Sequence, residues 1–256
     1  MPKLFDDASV TLGSIPGFVN AQVVNRLAVS STSNTYLIER SKERFVLRLR
    51  LEDASVFVPD IQLEERCSSL AYRHGLAPET VFCDISKGVL IRRYIEGVVW
   101  SSEQVHLEAK LSSLALALSR LHRISVDPVN SSWPSAAVNR YQNYLSSDAP
   151  QVLISSAQSI LDEIASMPAE TALCHNDLVC GNILQLPQGK VMFIDWEYSS
   201  IADPYFDLAN IIQYHSLSAD LEALFLNCYA KAAGIQLSAS RLELWKWFYN
   251  DLQALW

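Results

Sequence analysis

The stretch His175-Asn176-Asp177-Leu178-Val179-Cys180-Gly181-Asn182-Ile183-Leu184, with Phe193-Ile194-Asp195-Trp196-Glu197 shortly after it, is the most informative part of the chain. A short apolar run precedes each piece, Ala172-Leu173-Cys174 before the first and Val191-Met192-Phe193-Ile194 leading into the second. Such runs, bounded by polar residues, read as short buried strands. Each is followed at once by side chains able to do chemistry.

Three of those side chains stand out: Asp177, Asn182 and Asp195. Phosphoryl transfer needs a carboxylate that orients or deprotonates an attacking hydroxyl, and hard oxygen ligands that hold magnesium against phosphates. An Asp five residues before an Asn, with a second Asp ending the next strand, supplies both. Gly181 lets the loop turn tightly, while Ile183 and Leu184 anchor it. Taken singly, these residues have plainer readings: His175 and Asp177 satisfy a turn, and Asp195 caps a helix. The ordered combination H-N-D-x-x-x-G-N-I-L, then F-I-D-W-E, follows the catalytic-loop and metal-aspartate logic of kinases.

Outward from this segment the periodicity divides the chain in two. Val23 to Leu51 reads as antiparallel hairpins, with Phe45 to Arg50 alternating so that Arg48 and Arg50 share a face. Ile61 to His74 is helical through Leu63, Cys67, Leu70 and Ala71, and Gly75 stands where a glycine cap ends a helix. Strands return at Glu79 to Cys83 and Val89 to Tyr94. Beyond Gly97, helices are expected at Val105 to His122, around Tyr141 to Leu145, and at Val152 to Met167, Asp207 to Tyr214, Leu221 to Ala233 and Leu242 to Trp256. Ser125 to Pro134 reads as a surface loop. The expectation is an α+β protein of two lobes: residues 1–94 built on an antiparallel sheet, and residues 95–256 mainly helical.

Composition narrows the possible partners. Half of the 256 residues are hydrophobic, enough to bury a core, and 20 Lys+Arg against 28 Asp+Glu give a net charge of −8. That is the wrong sign for gripping nucleic acid, and it suits a cationic small substrate or an anion neutralised by metal. Five scattered cysteines without a C-x-x-C pair read as reduced thiols of a cytoplasmic protein. Asp6 and Asp7 interrupt the place of a secretory signal, and no apolar run is long enough to span a membrane.

The segment Cys174 to Asn210, which includes Ile194-Asp195-Trp196-Glu197-Tyr198-Ser199-Ser200 and Asp203-Pro204-Tyr205-Phe206-Asp207-Leu208-Ala209-Asn210, resembles the choline/ethanolamine kinase family. That family groups with aminoglycoside phosphotransferases and thiamine kinases and shares a protein-kinase-like fold. The run W-E-Y-S-S followed by F-D-L-A-N is closer to choline kinases than to the others. The resemblance implies ATP and Mg2+ as cofactors, Asp177 as catalytic base, Asn182 and Asp195 as magnesium ligands, and His175 as support for the loop's geometry. It makes Asp207 a second support, although an acidic residue favoured at a helix N-terminus reads equally well.

On the nucleotide side the resemblance selects Arg48 as the phosphate-binding arginine, with Glu64 as its acidic partner and Glu65 nearly as well placed. Ser31, Thr32, Ser33 and Asn34 stand where the family carries a glycine-containing turn over the phosphates. Backbone N–H groups and hydroxyls are expected to serve there, although positive φ angles cost more without glycine. Tyr94 and Ile95 match the linker whose backbone faces adenine. On the acceptor side, quaternary ammonium recognition by aromatic faces and carboxylates makes Glu197, Tyr198, Trp245, Tyr249 and Trp256 the candidates. The C-terminal aromatic stripe also reads as core packing. Two departures from the family are Gln253, where relatives tend to carry Trp, and the stop at Trp256 in mid-helix, the mark of a short variant or a fragment. The expected activity is transfer of the ATP γ-phosphoryl group to a cationic amino alcohol, choline or ethanolamine. A thiamine or aminoglycoside acceptor, and a kinase-fold binding protein with weak or no turnover, are the alternatives.

Overall fold

Three eight-residue strands, β1 (Gln22–Val29), β2 (Ser33–Arg40) and β3 (Glu43–Arg50), follow one another in the computed structural model, which describes residues 6–30, 32–51, 61–127, 134, 136–139, 151–168 and 170–255. The two-residue turn from β2 to β3 has Ser41 and Lys42 at φ 52° and 69°, the left-handed pair that matches strand twist in a tight hairpin. With β4 (Thr80–Asp84) and β5 (Val89–Arg93) they form one sheet in the order β1-β2-β3-β5-β4, antiparallel throughout.

Alternation gives this sheet two faces with different tasks. Tyr36, Ile38, Phe45, Leu47, Val89 and Ile91 point to one side, where α1 (Asp6–Gly13) covers them with Ala8 and Leu12, joined by Ile15 and Phe18. The opposite face carries Thr35, Arg48 and Leu90 in register, and Val46 opposite Arg92. It is turned toward the rest of the chain.

Helix α2 (Ile61–Arg73) buries Ile61, Glu64, Cys67, Ser68 and Ala71 along one stripe. It ends as the glycine predicts. Gly75 has φ 70°, its N–H donates to Tyr72 O at 2.8 Å, and Leu76 N–H reaches Ala71 O at 3.0 Å, a Schellman cap. Cys67, Ala71, Leu76 and Ala77 pack into the larger core of the helical part, so α2 joins that core although it precedes residue 95.

The helical part comprises α3 (Ser102–Val105), α4 (Glu108–His122), α5 (Gln151–Ala165), α6 (Pro204–Tyr214), α7 (Ala219–Ala233) and α8 (Ala239–Leu255). The single helix expected over Val105 to His122 is two, because Leu107 is extended (φ −83°, ψ 119°) and restarts the helix as the cap of α4. Helix α6 is buried at every position from Pro204 to Ile212, which makes it the axis of this part. Between the helices run β7 (Ala172–Cys174) paired with β10 (Ser200–Ala202), and β6 (Val98–Val99), β8 (Ile183–Gln185) and β9 (Val191–Phe193) in a second small sheet. Of these, β6, β8 and β10, together with α1, have no counterpart in the sequence reading. The expected helix around Tyr141 and most of the expected loop from Ser125 to Pro134 lie outside the described residues, as do Ser31 and Trp256. All five cysteines are free thiols. Among the described residues no helix is long and apolar enough to cross a membrane.

Candidate active site

Strand β7 ends at Cys174 and the chain turns at once through Asn176, whose φ is 65°. Asn is among the side chains that tolerate this left-handed geometry. Its Nδ2 holds the turn by donating to Tyr198 O at 2.9 Å and Ser200 Oγ at 2.8 Å. Helix α6 fixes the same turn from beneath. The Asp207 carboxylate accepts from His175 N at 2.9 Å and from Asn176 N at 2.7 Å, and Asn210 Oδ1 accepts from Leu178 N. His122 Nε2 lies 3.0 Å from Asp207, with its Nδ1 2.7 Å from the Tyr229 hydroxyl. Asp207 therefore supports the loop directly, whatever its helix-terminal charge adds.

His175 is fully buried, its ring 4.8 Å from that of Trp196, and its Nε2 is 3.0 Å from Ile194 O. Burial lowers its pKa. From inside the core it ties the two halves of the site together.

Asp177 and Asn182 meet directly, since Asn182 Nδ2 donates to Asp177 O at 2.8 Å and to Asp177 Oδ2 at 2.7 Å. The amide's carbonyl oxygen is thus its remaining acceptor. Ile194 N donates to Asn182 O at 3.0 Å and brings Asp195 alongside. Burial, reinforced by the charge of Asp195, pushes Asp177 up to about 7 against the opposing Asn182 hydrogen bond. Asp195, at φ 61°, caps no helix. Its half-exposed carboxylate accepts from Arg48 Nη1 at 2.9 Å.

Arg48 reaches three carboxylates: Glu64 through Nη2, and Asp195 and Glu197 (3.3 Å) through Nη1. Burial opposes its charge, but these three together hold its pKa above the usual range. Glu64 is 1% exposed and takes a second cation, Arg92 Nη2, at 2.9 Å; the two arginines lower its pKa although burial opposes them. Of the two acidic candidates it is Glu64 that pairs with Arg48, while Glu65 accepts from Ser69 on its own helix.

Two expectations are corrected on this side. Glu197 was placed with the acceptor, yet it turns to the sheet, where Thr32 Oγ1 donates to it at 3.2 Å and Arg48 at 3.3 Å. The left-handed backbone at Asp195 reverses the chain just before it. Burial and the charge of Asp195 push Glu197 up to about 7. The amides of Thr32 and Ser33, expected to meet phosphate, donate instead to Ser30 Oγ at 3.2 and 3.0 Å. A serine hydroxyl closes this turn. Asn34 sits within β2 opposite Leu49.

Beside these groups lies a cavity of about 470 Å³. Leu27, Ala28 and Val46 face it from the sheet, Leu184 and Ile194 from the helical part, Arg93 to Ile95 and Gly97 from the connecting segment, and Arg48, Asn182 and Asp195 complete the wall. Tyr94 and Ile95 are thus where the sequence places them. Arg93 N and Tyr94 N are spent on Glu79 O and Arg44 O, and among the described residues Ile95 N–H has no partner. Gly97 passes so close that a Cβ there would stand 2.8 Å from both Gln185 O and Leu184 Cγ.

The acceptor candidates separate. Tyr249 is buried, shares a hydrogen bond with Asn210, and is pushed up to about 12 by burial, with Asp177 near enough to add to the shift. Tyr198 is partly exposed beside the Asn176 turn. Trp245 is not brought to the site. It is 2% exposed, its Nε1 donates to Asp203 Oδ2 at 2.9 Å, and Phe206 and Phe248 pack against its ring. The packing reading of the aromatic stripe holds for this residue. A side chain missed in the sequence is Tyr214, 46% exposed at the end of α6, whose phenol feels Cys180 and Asp177. Its spacing of seven from Asp207 and four from Asn210, one helix face, was the available signal.

The phosphotransferase enzyme family matches residues 25–245. Protein LicA of Haemophilus influenzae is 30% identical over 241 residues, covering 88% of this chain and 88% of that protein. Ethanolamine kinase 2 of Mus musculus is 27% identical over 190 residues, covering 68% of this chain and 48% of that protein. The crystal structure of choline kinase LicA from Streptococcus pneumoniae superposes with a TM-score of 0.75 at 22% identity, over 91% of this chain and 85% of that one.

Proposed function

The chain belongs to the phosphotransferase enzyme family, and from that premise we propose that it transfers the γ-phosphoryl group of ATP to the hydroxyl of a small cationic amino alcohol, choline or ethanolamine. Its fold is protein-kinase-like. The observation that carries the reading is the convergence of Arg48, Asn182 and Asp195, drawn from three separate segments, on one cavity border, with Asp177 hydrogen-bonded to Asn182.

In this reading residues 1–94 hold the nucleotide and residues 95–256 hold the acceptor and the catalytic carboxylate. The base lies between Leu27, Val46 and Leu184, with the Ile95 N–H as a ready donor. Arg48 offsets phosphate charge. Asp177, near 7, orients the hydroxyl and takes its proton, and alignment supplies much of the rate gain.

The residues fit magnesium. Asn182 offers an amide oxygen and Asp195 a carboxylate, the hard donors this ion takes. Glu64, Asp195 and Glu197 gather around one arginine, and Asp177 and Glu197 are pushed up to about 7 by burial and by the charge of Asp195, an excess of negative charge that a divalent cation offsets. Held by Asn182 and Asp195, magnesium would neutralise charge that develops on the phosphates.

Tyr214 and Tyr249, whose phenols feel Asp177, and Tyr198 beside the Asn176 turn offer aromatic faces and a carboxylate to a cation, and the relatives named for ethanolamine and choline support that acceptor class. A cytoplasmic setting, with reduced thiols, suits the five free cysteines. ADP release from Mg-ATP, measured with choline, ethanolamine, thiamine and an aminoglycoside in turn, tests the proposal. Stimulation by choline or ethanolamine, abolished by EDTA, is expected. Stimulation by none of the four overturns it and leaves a kinase-fold binding protein.

A further inference from the structure

We infer that Arg92 reads the base of the phosphoryl donor, and that a purine with a carbonyl at position 6, as in GTP or ITP, serves this cavity alongside ATP. The inference rests on the kinase reading of the same cleft and names its donor more closely.

Arg92 stands on the cavity face of β5, opposite Val46, and borders the space lined by Leu27, Leu184 and Ile194. A guanidinium among such neighbours is costly unless its hydrogens find acceptors. The side chain is only 8% exposed. Nη2 is satisfied, by Glu64 Oε1 at 2.9 Å and Ser68 Oγ at 3.3 Å. Nε is buried without a partner, and Nη1 has none among the described residues. A few residues on, the Ile95 N–H borders the same cavity with no protein acceptor.

Nε is sealed from the cavity, so Nη1 and the Ile95 N–H are the donors this wall offers to a base edge. A 6-oxo purine carries hydrogen on N1, so it is O6, an acceptor with two lone pairs, that answers both donors. The exocyclic amino group of adenine presents hydrogens to a cation, while its ring nitrogen still accepts from Ile95, so ATP binds but offers Arg92 no acceptor at position 6. Sites built to hydrogen-bond one group discriminate against ligands that leave their buried donors unpaired.

Calorimetric titration with the non-hydrolysable analogues AMP-PNP and GMP-PNP tests this on the wild type, Arg92→Lys and Arg92→Leu. The wild type is expected to bind GMP-PNP within about tenfold of AMP-PNP, a difference under about 1.4 kcal/mol. Arg92→Leu should weaken GMP-PNP by about tenfold or more and leave AMP-PNP unchanged or tighter. Because Arg92→Leu also strips a cation from Glu64 and can fail to fold, Arg92→Lys keeps the charge and removes the fork. A selective loss of GMP-PNP in that variant supports the inference on its own. Rejection of GMP-PNP by the wild type while AMP-PNP binds overturns the inference and leaves the kinase reading standing. Equal weakening of both analogues in the variants overturns it too, because Arg92 then acts only through Glu64. If neither analogue binds the wild type, the cleft holds no nucleotide and both readings fall.

Discussion

Arg48 on β3 and Asp195 after β9 stand 147 residues apart in the chain and 2.9 Å apart in space, the Nη1 of one donating to the Oδ1 of the other. The pair joins the sheet to the helical part, and through Glu64 it draws in α2 as well. Removing the arginine strands Glu64, 1% exposed, with a single remaining cation. Arg48→Met should cost about 3 kcal/mol of stability, as broken buried pairs do, and raise the KM for ATP at least tenfold, read from denaturant unfolding and initial rates. Arg48→Lys should recover stability better than KM, because one ammonium does not reproduce the guanidinium fork.

Asp177→Asn keeps the side chain's shape and removes the proton acceptor. The expected result is a fall in kcat of about a thousandfold, in the range that general bases contribute, with ATP-analogue affinity within about threefold of wild type. Equal losses of binding and turnover would move Asp177 out of the role of base.

Asp207 satisfies two buried amides, those of His175 and Asn176. Asp207→Ala leaves both unpaired and should destabilise the protein by about 2–6 kcal/mol, each orphaned group costing on the order of 1–3. Turnover of the folded fraction should drop further than ATP binding, because the distorted element is the turn that carries Asp177.

Gly97→Ala places a methyl 2.8 Å from Gln185 O and from Leu184 Cγ. Overpacking of this kind costs about 1–3 kcal/mol. Leu184 is part of the cavity wall, so the KM for ATP should rise several-fold while that for the acceptor stays near the wild-type value.

Tyr214→Ala should raise the KM for choline about threefold to thirtyfold, the span of cation–π energies, while Tyr214→Phe keeps the ring and should stay close to wild type. Trp245→Phe serves as the contrast. It frees Asp203 from the indole N–H and should lower the melting temperature without a selective effect on acceptor KM.

Much of this arrangement was legible in the residues. Alternation from Phe45 to Arg50 put Arg48 on one face, and the observed register sets that face toward the cavity. The ordered spacing of Asp177, Asn182 and Asp195 marked them as a group. Gly75 marked the end of α2, and the cap is there. What failed to show were β6, β8 and β10, two or three residues long and without a purely apolar run bounded by polar residues, and the short α1.

The sequence by itself determined the α+β division, the strands and helices long enough to repeat their pattern, and the identity of the acidic and amide groups in the site. These are local properties, set by which side chains share a face within one element. Tertiary structure alone decided that Glu197 turns to Thr32 and Arg48, that Ser30 takes the amides of Thr32 and Ser33, that Trp245 is core, and that Tyr214 stands near Asp177. Periodicity does not carry through a left-handed residue such as Asp195. Nor does it say which of two buried surfaces a side chain meets, because that depends on how elements far apart in the chain pack against each other.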